Sequence, residues 1–358
     1  MPSSLRWLLP LLFAVACGGT VVSTGNDGQG GGTGPDAGGT TSGAADAGSQ
    51  SGGVDAGPQA DWSGIGNVLD GGRVASLDFG DVGDTRPPFY DLGYPAQIIG
   101  TIYADMAAVS PPLAFVVSTG DYMFADPTNL LGNQAAAQAQ LYVDAGQRFP
   151  GQVYPAMGNH ECDWSTSNDD CFGQANNPNF TAYLQGILGG FGLPATSPYF
   201  VVLFSSSDPT RPWTAKFVFM APDYWDTSGN TQEIWLEKVL AQPTTYTFLV
   251  RHQPTDNSAN APGVAESDAL LQTYPFTIKL TGHSHSYKYD QPNREIVNGL
   301  GGAALDYGYS GTYGYVVCRQ RADMAIQCAL HDYDSNAVSS QPDATLAVEP
   351  DGTPTPPN

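Results

Sequence analysis

The chain has 358 residues, of which 13 are Lys or Arg and 35 are Asp or Glu, so its formal net charge is -22. This length suggests one large domain or two ordinary ones, and the 41% of apolar residues suffice for a sizeable core. The acidic balance argues against nucleic acid or an anionic bilayer as the main partner, because phosphate groups would be repelled. A phosphorylated substrate remains compatible with it if a metal ion supplies positive charge locally.

The chain begins with a short apolar run over residues 8–16, which has the form of the apolar region of a secretory signal peptide. A membrane helix needs about 20 apolar residues, so this run is too short to span a bilayer. Its end, Ala14-Val15-Ala16-Cys17, resembles a bacterial lipobox, in which Cys17 becomes the lipidated first residue of the mature protein. Simple cleavage after Ala16 is the alternative. We therefore predict a lipoprotein-type signal peptide over 1–17 and a location outside the cytoplasm, at the cell envelope or surface.

Two segments have the composition of unstructured chain. Residues 18–60 contain 15 Gly, no Lys or Arg, and three copies of Asp-Ala-Gly. Such a stretch cannot bury enough apolar surface to fold, and it is predicted to be a flexible linker. Residues 335–358 end in a Pro-rich sequence and are predicted to be a disordered tail. The block 62–334 between them is predicted to form a single domain.

Four cysteines remain after Cys17, and in an exported protein they suggest two disulfides. Partners that are close in sequence are the simplest pairing, which gives Cys162–Cys171 in a polar loop and Cys318–Cys328 across a hairpin. A metal site made of these thiols is disfavoured because the chain has no Cys-x-x-Cys spacing.

Within the block 62–334, short apolar runs alternate with helical stretches. Residues 134–149 form one predicted helix, and a second is predicted to begin at Asn230 with Glu233 completing a capping box and Ile234 buried. Strands that alternate with helices indicate an α/β fold with layered mixed sheets flanked by helices. The predicted strands are Val74–Phe79, Leu113–Ser118, Gln152–Ala156, Phe200–Phe204, Lys216–Met220, Thr245–Val250 and Phe276–Leu280, followed by a hairpin of Gly314–Val317 and Met324–Ala329.

Small polar clusters follow several of these strands directly. In an α/β sheet the carboxyl ends of the strands meet at one edge, where the ligand binds, and glycines let the backbone turn and approach a ligand closely. The clusters are Gly80-Asp81-Val82-Gly83, Gly120-Asp121-Tyr122-Met123-Phe124, Gly158-Asn159-His160-Glu161, Arg251-His252-Gln253-Pro254 and Gly282-His283-Ser284-His285.

The clusters together offer two carboxylates, one amide and four of the chain's five histidines. This set of oxygen and nitrogen donors suits Zn²⁺, Mn²⁺ or iron. Each cluster alone is weak evidence, since Gly-Asp is a common turn and a lone histidine often packs in a core. Their fixed order at strand ends points to a shared metal site.

These motifs resemble those of the calcineurin-like metallophosphoesterase superfamily, and Asp81-Val82-Gly83 resembles the first motif of its purple acid phosphatase branch. The resemblance covers roughly residues 74–305 and implies a metallophosphoesterase-like β-sandwich fold with two divalent or trivalent ions (Fe, Mn or Zn). It implies that Asp121 bridges the ions, and that His160 is catalytic, donating a proton to the leaving oxygen or helping to bind the phosphate. The remaining implied metal ligands are Asp81 and His285 for the first ion and Asn159, His252 and His283 for the second.

The sequence departs from the family pattern at the first ion. Phe124 stands where the family usually has Tyr or Asp, and Gly83 stands where another branch has a His ligand, so the first ion is short of protein ligands. Water, Asp78 or Tyr122 would fill the gap. His160 also needs a new orienting partner, for which Asp126 and Glu161 are the candidates.

The predicted function is metal-dependent hydrolysis of phosphate esters, with a phosphomonoester favoured and a phosphodiester left open. The alternative is a non-catalytic surface lipoprotein that keeps a metal- or phosphate-binding site, and a third hypothesis is a structural surface protein with a vestigial histidine cluster. We expect Arg251 to be a solvent-exposed charge, with phosphate contact as the alternative. The expected partner is a phosphoester substrate, with membrane contact only through a lipid on Cys17 and no nucleic-acid-binding surface.

Overall fold

The computed structural model describes residues 60–126, 133–162, 177–226, 229–257, 261–334, 337–338 and 345–358. The predicted signal peptide and the predicted linker as far as residue 59 lie outside this part of the chain. The Cys162–Cys171 pairing also lies outside it, because Cys171 is not among the described residues. No helix in the described ranges is both long and apolar enough to cross a membrane.

Two β-sheets form the centre of the fold. The first has the strand order β1-β5-β6-β7-β8-β10-β9 and the second the order β15-β14-β12-β11-β2-β3-β4, with β13 paired to β12. In chain order the strands are β1 Val68–Val74, β2 Phe79–Val82, β3 Phe115–Ser118, β4 Gln152–Pro155, β5 Phe200–Ser206, β6 Thr214–Phe219, β7 Tyr246–Val250, β8 Ile278–Thr281, β9 Tyr287–Asp290, β10 Glu295–Asn298, β11 Gly314–Gln320, β12 Ile326–Asp334, β13 Ala337–Val338, β14 Thr345–Val348 and β15 Pro354–Thr355.

Aromatic rings fill the space between the two sheets. Phe79 on β2 packs edge-on against Phe217 on β6 at 5.1 Å and against Phe248 on β7 at 5.3 Å between ring centroids. Phe115 on β3 stacks on Phe204 of β5 at 4.3 Å. Because each large ring buries about 150–250 Å² of surface, these contacts fix the two sheets face to face.

Helices cover the outer faces of both sheets, which gives four layers. Helices α1 (Ala96–Ala108) and α2 (Ala135–Gly146) lie on the side of the second sheet, and Tyr103 and Tyr142 join them by a hydrogen bond of 2.6 Å between hydroxyls. A short helix α3 (Pro178–Thr181) continues into a π-helical turn, Ala182–Leu188. Helices α4 (Thr231–Leu240) and α5 (Pro262–Leu271) cover the first sheet. The mixed α/β sandwich flanked by helices confirms the predicted fold class.

Helix α4 begins where the sequence predicts, but its start differs in detail. Asn230 stands at the N-cap with a left-handed backbone (φ 51°) and makes no side-chain capping bond, so the predicted capping box is wrong. Ile234, expected to be buried, is 48% exposed, whereas Leu236 is fully buried. The apolar stripe therefore runs through Trp235, Leu236 and Val239, which face the first sheet.

Two predicted element boundaries are wrong. The predicted strand Val74–Phe79 spans the junction between β1 and β2, since β1 ends at Val74 and β2 begins at Phe79. The predicted disordered tail 335–358 contains β14, which pairs with β12 and buries Leu346 and Val348. That strand is four residues long and lies among Pro and polar residues, and its three buried residues are consecutive, so it shows no alternating pattern.

The predicted hairpin disulfide is confirmed. Cys318 on β11 lies directly opposite Cys328 on β12, and the two sulfurs are bonded. Both cysteines are fully buried. The crosslink joins two central strands of the second sheet, one of which, β11, pairs with β2 next to the polar clusters.

Lys216 on β6 is a buried cation that is unrelated to the polar clusters. Its ammonium donates hydrogen bonds to the carbonyls of Val239, Leu240 and Gln242, at the C-terminal end of α4. Burial lowers the pKa of Lys216 to about 7. The last carbonyls of a helix lack their usual N–H donors from a following turn; Gln242 donates its N–H to Val239, and the lysine bonds all three carbonyls and ties the end of α4 to the sheet.

Candidate metal centre

The predicted site residues lie at the carboxyl ends of strands from both sheets. Strands β2, β3 and β4 are parallel neighbours in the second sheet, and β7 and β8 are parallel neighbours in the first. Their ends therefore present side chains to the same edge of the sandwich. The residues delivered there are Asp84 after β2, Asp121 after β3, Asn159 and His160 after β4, His252 after β7, and His283 and His285 after β8.

Three of these residues adopt the left-handed backbone conformation that non-glycine residues seldom use. The φ angles are 58° for Asp84, 61° for Asp121 and 71° for His283. Such conformations cost about 1–3 kcal/mol each and cluster where function requires them. Hydrogen bonds hold the turns together: Asp84 donates its N–H to the carbonyl of Gly120, and its carboxylate accepts the N–H of His283 at 2.8 Å.

Four predicted ligands of the second ion lie together. Asp121 Oδ1 is 3.2 Å from His252 Nε2. His283 Nδ1 is 3.3 Å from that His252 nitrogen and 3.1 Å from Asn159 Oδ1. Donors bound to one ion at about 2.1 Å stand about 3–3.5 Å apart, so this spacing suits a shared cation. His252 Nδ1 lies 2.8 Å from the carbonyl oxygen of Thr119 and donates to it, which directs Nε2 at the centre.

The electrostatics of His252 show that buried carboxylates draw positive charge to this position. Burial lowers the pKa of His252, but the carboxylates of Asp121 and Asp84 outweigh burial and raise it to about 10. The pKa of His283 is lowered to about 4 by burial and by the neighbouring His252. Despite burial, the pKa of Asp121 lies well below its usual range because His252 and His160 are beside it.

A second group of donors lies beside the first. Ligand atoms of Asp84, Asp121 and His285 all lie within 4.8 Å of one another. His285 Nδ1 donates to the carbonyl of Ala304 at 2.6 Å, which directs Nε2 toward Asp84 Oδ1, 3.3 Å away. We call Asp84, Asp121 and His285 the first-ion group, and Asp121, Asn159, His252 and His283 the second-ion group.

Asp81, predicted as a ligand of the first ion, is not part of the first-ion group. It lies within β2 and points to the same side as Phe79, toward the other sheet, where Asn298 of β10 donates to its Oδ2 at 3.1 Å. Burial raises the pKa of Asp81 to about 7. Asp84, three residues later, brings its carboxylate to His285 at 3.3 Å instead. The two residues suggested to fill the gap are engaged elsewhere: Asp78 pairs with Arg319, and the Tyr122 hydroxyl bonds to the carbonyl of Ala156.

Arg86 reaches into the first-ion group. Its Nε donates to Asp121 Oδ2 at 3.2 Å, and its Nη2 lies 3.3 Å from His285 Nε2. The guanidinium carbon stands 4.5 Å from the centroid of the Phe124 ring. The side chain of Arg86 is only 14% exposed, so these contacts are largely screened from water. Sequence reasoning missed both Asp84 and Arg86.

His160 donates its backbone N–H to Asp121 Oδ1 at 3.2 Å, but its side chain makes no close contact with the centre. Its Nε2 is 3.7 Å from Asp121 Oδ2, and the Phe124 ring packs against the imidazole at 4.5 Å. Its Nδ1 is buried without a hydrogen-bond partner among the described residues. Burial lowers the pKa of His160 to about 3, so the imidazole is neutral at neutral pH.

Glu161, one of the two suggested partners of His160, instead organises the backbone. Its Oε2 accepts the N–H groups of Gly158 at 2.8 Å and Asp121 at 2.9 Å. Its Oε1 accepts those of Tyr122 at 2.7 Å and Met123 at 3.3 Å. Burial raises the pKa of Glu161, and these N–H groups act against that shift. The carboxylate thereby holds the turn that carries Asp121 against the turn that carries Asn159.

The donor set fits divalent metal ions. The carboxylates of Asp84 and Asp121 are buried and face imidazole nitrogens of His285 and His252 at 3.3 and 3.2 Å, as is expected of carboxylates placed for a cation. Carboxylate, amide and imidazole donors are those that Zn²⁺, Mn²⁺ and iron accept. Buried carboxylates are stable only when positive charge compensates them, and Arg86 supplies one such charge.

Asp84 and Arg86 gave only a faint signal in the sequence. The segment Gly83-Asp84-Thr85-Arg86 offers a second aspartate directly after a strand-ending glycine, and Asp is among the few residues that tolerate left-handed backbone. Choosing between Asp81 and Asp84 requires the point at which β2 ends, because one residue reverses the direction of a side chain in a strand.

Comparison with known proteins finds a family model and several solved structures that resemble this chain. The family model for calcineurin-like phosphoesterases matches residues 81–287, more than half of the chain. The structure of GAP50, the anchor in the inner membrane complex of Plasmodium, is similar with a TM-score of 0.54 at 15% identity, over 78% of this chain and 90% of that one. The structure of PhoD gives a TM-score of 0.49 at 14% identity, over 81% of this chain and 73% of that one. No curated protein matches the sequence.

Proposed function

The chain belongs to the calcineurin-like phosphoesterase family, and we propose that it hydrolyses phosphate esters, phosphomonoesters in preference to diesters, at the metal centre described above. The enzyme is a metallophosphoesterase. The observation that carries the proposal is the second-ion group, in which four oxygen and nitrogen donors from four separate strand ends lie in a chain of contacts of 3.1–3.3 Å.

Bound metal supplies positive charge that neutralises the phosphate oxygens and makes water a competent nucleophile near neutral pH. The protein's own residues fix where this happens. Thr119 and Ala304 set the tautomers of His252 and His285 through their carbonyls. His160, neutral and buried, is placed to donate an N–H to a phosphate oxygen, and the role of proton donor stays a prediction.

The Asp-x-Gly motif supports placing the chain near the purple acid phosphatase branch. That assignment is a proposal, and Phe124 bears on it, because a phenyl ring offers no oxygen to a metal. Its ring instead contacts His160, Arg86 and Tyr90, at 4.5, 4.5 and 3.9 Å. We accordingly expect no tyrosinate-to-iron colour in the purified protein, which an absorption spectrum of the iron-loaded protein would check.

Turnover of a chromogenic phosphomonoester and of the matching diester, with Mn²⁺, Zn²⁺ or Fe added, tests the activity. His283→Ala should lose at least about 100-fold in kcat/KM, because it removes a donor of the second-ion group. His331→Ala is the matched control, since His331 lies on β12 and stacks on Tyr315 away from the clusters. Folded protein without turnover under any metal, or equal losses in both variants, would count against the proposal.

We also propose that the protein is exported and held at the membrane by a lipid on Cys17. The lipobox-like sequence 14–17 and the glycine-rich segment after it support this, and the linker would leave the catalytic domain free above the membrane. Mass spectrometry of the mature N-terminus tests it: a diacylated Cys17 is expected, and an unmodified terminus would favour simple secretion. Cys17→Ser should abolish partition into detergent.

The alternative function is a non-catalytic surface protein that keeps a metal- or phosphate-binding site. The contact of Phe124 with Arg86 favours it, because an apolar ring and a guanidinium stand where the family places an oxygen ligand. Metal binding that depends on His283, without turnover of either ester, would favour this alternative.

A further inference from the structure

We propose that Arg86 competes with the first metal ion, so that the protein binds one ion tightly in the second-ion group and a second ion only weakly. The inference rests on the proposed metal centre. The observation behind it is that Arg86 is hydrogen-bonded to two of the three members of the first-ion group, Asp121 and His285.

The competition is for the same electron pairs. His285 Nδ1 donates to Ala304, so the lone pair on Nε2 is the only one that a neutral imidazole can give to an ion. That nitrogen is 3.3 Å from Arg86 Nη2. Asp121 Oδ1 faces His252 in the second-ion group, whereas Asp121 Oδ2 accepts from Arg86 Nε at 3.2 Å. An ion in the first-ion group must therefore displace Arg86 from both atoms.

Arg86 is held in this position by more than its two acceptors. The guanidinium lies over the face of Phe124, and Nη1 donates to the carbonyl of Pro87 at 3.3 Å. Cation–π contact with a partly buried ring is favourable for a guanidinium. The side chain is 14% exposed and Asp121 is 2% exposed, so their ion pair is weakly screened by solvent.

The charge at the centre also suits one ion and one guanidinium. Asp84 and Asp121 are buried beside each other, and both need compensation. One divalent ion in the second-ion group together with Arg86 balances three negative charges, those of Asp84, Asp121 and the buried carboxylate of Glu161 beside them. A further divalent ion would place excess positive charge next to Arg86 in a poorly solvated site, which is costly.

The expected size follows from the two hydrogen bonds that Arg86 makes to Asp121 and His285. A hydrogen bond to a charged group corresponds to about 10- to 100-fold in a binding constant. Removing Arg86 should therefore tighten the first ion by at least about tenfold. Arg86→Lys keeps a positive charge but cannot bridge two acceptors in the same way, so it should fall between the wild type and Arg86→Ala.

The test counts ions directly. Purified wild type, Arg86→Ala and Arg86→Lys are loaded with Mn²⁺, dialysed and measured by elemental analysis, with affinities from calorimetry and the electron paramagnetic resonance of paired Mn²⁺ as a second readout. Arg319→Ala is the matched control, because it removes another Arg–Asp pair, with Asp78, at 3.2 Å. Circular dichroism confirms that each variant is folded.

One tight ion per wild-type chain and two per Arg86→Ala chain, with the signal of a coupled pair only in that variant, would support the proposal. Two equally tight ions in the wild type, unchanged by Arg86→Ala, would overturn it while leaving the metal centre intact. Failure of every variant to bind Mn²⁺, Zn²⁺ or iron would overturn the metal centre and this inference together. His283→Ala should reduce the tight ion, which separates the second-ion group from the first.

Discussion

Glu161→Gln is the most informative single change, because one buried carboxylate holds two of the site's turns. Glu161 is fully buried and accepts four backbone N–H groups, two on each oxygen. Glutamine keeps the shape of the side chain but replaces one oxygen by an NH₂ group, which cannot accept. Two of the four N–H groups must then face another donor.

The cost follows from those two groups. A buried N–H that loses its acceptor costs about 1–3 kcal/mol, so two cost about 2–6 kcal/mol. Removing a buried negative charge offsets part of this cost in the free energy of unfolding. We expect a net loss of about 2–4 kcal/mol in the free energy of unfolding, which for a domain of this size is a fall of about 4–12 °C in Tm. Affinity for metal should fall about 10- to 100-fold, since Asp121 and Asn159 lose their fixed separation.

Thermal unfolding and Mn²⁺ titration of the same preparation measure both effects. Glu237→Gln is the control, because it makes the same chemical change on the exposed face of α4. Its Tm should move by less than about 2 °C. A Glu161→Gln protein with wild-type Tm and wild-type metal affinity would refute the idea that this carboxylate organises the centre.

Three other predictions test separate features. Replacing Cys318 and Cys328 by Ser opens a short loop and should cost about 2–3 kcal/mol in urea unfolding under oxidising conditions, and the difference from the wild type should shrink once both are reduced. Gly158→Ala should abolish tight metal binding, because the added Cβ would stand closer than 3.0 Å to Asp121. Gly189→Ala is the control: it lies in an open helical position and should leave the free energy of unfolding unchanged or raise it by about 0.5–1 kcal/mol. Equal metal affinity in the two variants would contradict this. Lys216 has a pKa below that of an unfolded lysine, so the unfolded chain binds more protons between about pH 7 and 10.5, and the free energy of unfolding rises with pH across that window. Lys216→Met should reduce this rise by about 1–3 kcal/mol between urea titrations at pH 7 and at pH 9.5. The same rise in the variant and the wild type would contradict the prediction.

Local sequence patterns were enough to predict the sheet and the edge where the site lies. A β-branched or aromatic run that stops at a glycine and a polar residue identifies both a strand and its carboxyl end, as at Val117 and Gly120 or at Leu280 and Gly282. The same signal places Asp121, Asn159 and His283, whereas His252 follows its strand without a glycine. The structure brings all four together.

Features that depend on partners distant in sequence were not predictable. Arg251 was expected to be a solvent-exposed charge, yet it is fully buried and pairs with Asp268 at 3.1 Å and Glu295 at 3.4 Å. Nothing near Arg251 in sequence reveals those carboxylates. Arg86 is a similar case, because its acceptors follow β3 and β8, which only the folded sandwich brings to it.

The departures from the family pattern belong to one arrangement. Phe124 removes an oxygen donor from the first ion, and the same ring provides the surface on which the Arg86 guanidinium rests, 4.5 Å away. The guanidinium in turn takes Asp121 Oδ2 and His285 Nε2, the atoms that a first ion would need. A tyrosine at position 124 would therefore not by itself rebuild the first ion's coordination, since the phenol oxygen would still meet a site whose other donors are bonded to Arg86. If Arg86 competes with that ion as proposed, positions 86 and 124 together set the number of ions, whereas the second-ion group sets whether the protein binds metal at all.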